Sequence, residues 1–157
     1  MTDNSFKTFL IALLSLTLLF AVSCSNEGTT GGVGNSDLGD AVYVGSVNRT
    51  ALTGDTAMAP EETTIGDLSL TIANNKLTIG NGIGTFVDVQ IVKSGSEYSA
   101  NNEFIDTDGS LTIKQGIKFT VSPDGNTIEV LEYKSTYSTE TQILFTAIYK
   151  GTLTKII

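Results

Sequence analysis

The chain has no histidine and a single cysteine, Cys24. Without His there is no Ser–His or Cys–His nucleophile pair and no His-ligated metal centre. Paired carboxylates are the remaining catalytic option, because two acids flanking a bond can act as acid and as base or nucleophile. Here the acids fall in turns (Asp55, Asp67, Asp106, Asp108, Asp124) or alternate outward along strands, as Asp88 does. The expectation is a protein that is not an enzyme, with no catalytic residue, no metal ligands and no cofactor. Asp106-Thr107-Asp108-Gly109 invites a calcium-loop reading, but the EF-hand spacing puts the first ligand on Phe104 and the last on Gln115. Neither carries a carboxylate, so a hairpin turn explains the motif better.

A pair of amides offers binding chemistry instead. Asn102 and Gln115 occupy positions whose parity is otherwise apolar. With Tyr98, Tyr133 and Tyr149 on or near that face, they are the candidate lining of a pocket at one barrel mouth. Ligand pockets combine apolar walls with a few placed polar groups in this way. The register read from sequence sets Asn102 against Ile113 and Ala100 against Gln115, making the amides diagonal neighbours. The alternative is that both lie at strand ends and meet water.

The elements that position these residues are strands. From Ala41 onward the apolar residues recur with period two, Thr, Val, Ile, Tyr and Phe are enriched, and turn residues separate the runs. Cross-strand partners face the same side, so each proposed turn can be tested. Asn74-Asn75 pairs Ile72 with Leu77 and Leu70 with Ile79; Asp124-Gly125 pairs Val121 with Ile128 and Phe119 with Val130. A turn at Ser94-Gly95 pairs Ile91 with Tyr98 and Val89 with Ala100, and one at 106–109 pairs Phe104 with Leu111. Gly116 marks either a bend in one long strand or the turn Lys114-Gln115-Gly116. The parity change from Ile128 and Val130 to Leu131 and Tyr133 calls for a bulge. In the last strand Ile143, Phe145, Ala147, Tyr149, Gly151 and Leu153 share a face. Pairing it with the first strand would close a barrel and remove both edges. The result is an all-β, antiparallel up-and-down meander of eight to ten strands over 40–157. The polar loop from Thr53 to Gly66 is a lid over the mouth or idle, and Phe104, Phe119 and Phe145 are candidates to fill the interior.

The N-terminal segment carries the address. Phe9 to Val22 holds only Ser15 and Thr17 as polar residues, behind Lys7. A helix of that length reaches about 21 Å, short of the roughly 30 Å of bilayer hydrocarbon. Length and flanks match a signal helix over 1–23. The exit Ala21-Val22-Ser23-Cys24 resembles the bacterial lipobox. That resemblance implies cleavage before Cys24, lipid on its sulfur and acylation of the new amino group. With Ser25 rather than Asp following, it implies the outer membrane. An ordinary secretory signal, or an uncleaved helix, would leave Cys24 as an unpaired exported thiol, which lipidation removes. Residues 24–39 are Gly-rich and poor in bulky apolar side chains, the composition of a flexible tether.

The net charge of −8 argues against nucleic acid, which needs clustered Lys and Arg. It also leaves membrane attachment to the lipid rather than to a basic patch. The folded part resembles the calycin-like or lipocalin-like small lipoproteins of bacteria, in its Tyr43/Gly45 opening strand, its hairpin succession and its closing Tyr149-Lys150-Gly151. The chain has no Trp, hence no Gly-x-Trp signature, and the resemblance is one of architecture. It implies binding or carriage of a small apolar ligand. The other expectation is a surface or scaffold protein with a filled interior, binding another macromolecule through its loops or outer face.

Overall fold

The computed structural model describes residues 37–84, 86–106 and 109–157. The signal segment, Cys24, most of the tether, and the centre of the 106–109 motif lie outside the described residues.

Among the described residues nine strands follow one another: β1 (Ala41–Gly54), β2 (Thr64–Ala73), β3 (Lys76–Gly80), β4 (Phe86–Gln90), β5 (Val92–Ser94), β6 (Glu97–Ile105), β7 (Thr112–Val121), β8 (Thr127–Ser138) and β9 (Ile143–Lys155). They form one antiparallel sheet in the order β4-β3-β2-β1-β9-β8-β7-β6-β5. The first and last strands pair from Tyr43–Lys155 up to Gly54–Phe145. The sheet edges, β4 and β5, are consecutive in the chain and joined by Ile91 alone, so the sheet is a nearly closed barrel with one seam. The expected all-β meander is therefore present.

Alternation explains the burial. Tyr43, Val47, Leu68, Leu70, Ile72, Leu77, Ile117, Phe119, Ile128, Val130, Tyr133, Ala147, Tyr149 and Leu153 form one core cluster, all at inward parity. The register at Asn74-Asn75 and at Asp124-Gly125 is as the sequence predicts. Asn74 and Asn75 both have positive φ (51° and 62°), which is what fixes so tight a turn. β7 runs unbroken through Gly116, which resolves the two readings in favour of one long strand. The bulge expected in β8 is there: Lys118 pairs with Glu132, but Phe119 pairs with Val130.

Two registers differ from the sequence reading. Ser94 pairs with Glu97, so Tyr98 faces Lys93 rather than Ile91, and the turn is Gly95-Ser96. Phe104 pairs with Ile113 rather than Leu111, and Asn102 with Gln115. Both shifts are by two residues, which leaves every side chain on its expected face. The 106–111 loop is longer than read, closed by Asp106 N–H donating to Leu111 O at 2.9 Å. Phe104, expected inside, is 45% exposed because it stands at the top of its strand.

The wall is uneven. β1 from Ala51 to Gly54 pairs only with β9, and β6 from Ala100 to Ile105 only with β7. Thus β1, β9, β8, β7 and β6 make a tall wall that rises past the ends of β2, β3 and β4. Asp37 and Leu38, assigned to the tether by composition, pack on the barrel's lower end. The Asp37 carboxylate accepts from Lys93 Nζ and from the Tyr98 hydroxyl, each at 2.9 Å, and Leu38 touches the core.

Candidate functional site

The upper part of the tall wall carries the polar positions. One cross-strand row runs Asn102, Gln115, Ser135, Ala147, Leu52 through four ladders. The row above it is Phe104, Ile113, Tyr137, Phe145 and Gly54, in which Tyr137 and Phe145 stack with centroids 4.5 Å apart. The row below holds Ala100, Ile117, Tyr133 and Tyr149. The two amides of the sequence analysis are therefore direct neighbours rather than diagonal ones.

Gln115 is 4% exposed and Ser135 fully buried, and neither Gln115 Nε2 nor Ser135 Oγ has a hydrogen-bond partner among the described residues. Such groups are rare in folded proteins, because each costs about 1–3 kcal/mol to leave unsatisfied. Burial raises the pKa of the neighbouring Tyr137 phenol; the Ser135 hydroxyl acts the other way, close by but without the geometry of a formed bond.

The turn between β3 and β4 covers this row. Tyr133, on the opposite wall, accepts from Ile83 N–H at 2.9 Å and donates to Ile83 O at 3.2 Å. One hydroxyl thus fastens both backbone groups of Ile83, whose side chain packs against the core. The flanking glycines make the fit. A Cβ on Gly82 would stand 2.7 Å from Tyr133 Oη and 2.8 Å from Ile79 Cγ2; one on Gly84 would stand 2.9 Å from Gln115 Nε2. Gly84 also has φ of 75°, a region that side chains disfavour. The other loop, 55–63, is tied back to β1 by Arg49, whose backbone N–H donates to Thr63 O at 2.7 Å and whose guanidinium donates to Pro60 O at 2.6 Å. Gly82-Ile83-Gly84 lies over the interior, while most of the 55–63 loop is exposed.

The structure separates the proposed lining. Gln115, Tyr133 and Tyr149 come together, with Tyr133 and Tyr149 at 6.2 Å between ring centroids. Asn102 stands beside Gln115, half-buried. Tyr98 lies lower, stacked on Phe119 at 5.5 Å with its hydroxyl on Asp37, away from the open end. Ser135 and Ile83 were missed. Ser135 shares the inward parity of Tyr133, so its polarity was legible; the run Gly80-Asn81-Gly82-Ile83-Gly84 was legible as an unusual glycine density but had no partner to point at.

A concavity of about 600 Å³ lies on the outer face of β6, β7 and β8, where Gly116 leaves a trough between Asn101 and Lys134. Lys114, Lys118, Lys134, Glu103 and Glu132 border it, with Lys114 3.5 Å from Glu103.

No protein-family model, curated protein or solved structure matches the chain.

Proposed function

We propose that this chain is a bacterial lipoprotein, anchored through lipid on Cys24 to the outer membrane, whose calycin-like barrel binds a small, largely apolar molecule without catalysing a reaction. The binding surface is the inner face of the tall wall, from Tyr137 and Phe145 down to Gln115 and Ser135. One observation carries the reading: two buried polar side chains, directly opposed across a ladder, each have an atom with no hydrogen-bond partner among the described residues. Stability alone would favour apolar residues there, since removing both members of an unmade hydrogen bond is neutral or stabilising. A guest that bonds them accounts for their presence.

The trough around Gly116 favours a second reading, in which the outer face meets another macromolecule. Lys114, Lys118 and Lys134 stand there among Glu103 and Glu132, a concave outer surface of mixed charge that suits a polar macromolecular face.

Native mass spectrometry of the protein extracted from membranes tests both halves of the main reading. The expected mass begins at Cys24, includes covalent acyl chains, and is accompanied by a non-covalent small-molecule adduct. An unmodified Cys24 rules out the anchor. A clean apo mass from gently extracted protein rules out carriage and leaves the outer-face reading.

A further inference from the structure

We infer that the molecule held by this wall is uncharged, an apolar body bearing one carbonyl or hydroxyl oxygen, and that it binds by displacing Ile83. The inference rests on the proposed binding role of the inner face and adds the chemistry of the guest. Gln115 Nε2 is a donor and Ser135 Oγ a donor or acceptor, so together they suit a single oxygen placed between them. A carboxylate is a poor match. Leu52, Asn102, Gln115, Ser135 and Ala147 include no cation to offset the loss of its hydration. The nearest row that carries one, that of Tyr149 and Arg49, commits the Arg49 guanidinium to Pro60 O at the surface. Ser135 and Ala147 are small side chains paired across β8 and β9, which leaves the polar row shallow next to the aromatic row above.

Ile83 occupies the place a guest would take. It is an aliphatic side chain held over the interior by a turn with glycine on each side, fixed through its backbone by Tyr133. The protein thereby fills its own apolar seat while leaving the polar pair beneath unmet. A guest with an oxygen at one end satisfies what Ile83 cannot, and that difference drives the exchange.

The test compares octan-2-one, octanoate and n-octane as probes of the purified full chain at pH 7, by calorimetry and by the Ile83 methyl signals in NMR. The ketone is expected to bind about tenfold or more tighter than octanoate and to shift the Ile83 methyls. Gln115→Leu with Ser135→Ala should remove about tenfold of ketone affinity and leave octane affinity unchanged. The comparison of probes on the unaltered protein stands even if the double variant folds poorly. Absence of binding by all three probes defeats the binding reading itself. Octanoate binding as tightly as the ketone leaves a binding site but overturns the uncharged class. Ketone binding with unmoved Ile83 methyls overturns the displacement.

Discussion

Tyr133 serves two levels of the structure with one side chain. Its ring lies in the core against Tyr149, and its hydroxyl holds the Ile83 backbone. Burial pushes its phenol up to about 12 from an ordinary 10.0, partly offset by the bond to Ile83 O. The neutral form is thus favoured by folding, so this stability is complete below pH 10 and is lost as pH rises through about 12. A shift of that size corresponds to roughly 2–3 kcal/mol, at about 1.4 kcal/mol per unit. An absorbance titration near 295 nm should show a phenolate that forms late, and Tyr133→Phe should delete that step. Full ionisation of every tyrosine around pH 10 in the folded protein would contradict the assignment. The inward position of Tyr133 was legible from alternation; its hydroxyl's partner was not, because Ile83 is 50 residues away in sequence and on a separate wall.

At the level of strands, closure depends on glycines in the β1–β9 ladder. Gly45 and Gly151 lie where β1 and β9 pass closely, as Gly54 does against Leu144 and Phe145: a Cβ on Gly45 would meet the Thr152 carbonyl, and one on Gly151 would meet Ser46 O and stand 2.9 Å from Val47 Cα. These are backbone atoms and cannot step aside cheaply. Gly151→Ala is expected to cost about 1–3 kcal/mol, read from the urea midpoint. Gly66→Ala in β2, with nothing within 4 Å, should stay within about 0.5 kcal/mol. An equal loss at both positions would mean backbone entropy, not close approach, sets the requirement. Both closing glycines were visible in the sequence as interruptions of good strand patterns. Strand registers were visible where apolar residues on both sides of the turn had to face one another, as at Asn74-Asn75 and Asp124-Gly125. A slip of two residues preserves alternation, so the errors at Gly95-Ser96 and at 106–111 left no trace in the hydrophobic pattern.

For the whole molecule, uneven strand lengths matter more than strand number. The short β3 and β4 leave the upper wall uncovered, and the β3–β4 turn reaches across to fill the gap. The polypeptide enters at the opposite end, where Asp40 accepts from Asn74 N–H at 3.0 Å and Val42 N–H donates to Ile157 O at 3.1 Å. The candidate site therefore opens away from both ends of the described chain. Composition and parity made the barrel legible, but which end stayed open required strand lengths to within a residue or two.

The seam at Ile91 has a kinetic corollary. Among the described strands every ladder but one joins neighbours in the chain; the exception, β1 with β9, spans separations such as the 98 residues between Thr50 and Ile148. Closing so long a loop opposes folding before its contacts form, and topologies with high contact order fold slowly for that reason. A circular permutant that links Ile157 to Ala41 and opens the chain at Ile91 would retain the same sheet while making every ladder sequential. Stopped-flow refolding of that permutant should be faster than that of the natural connectivity, because the one remote pairing becomes a hairpin.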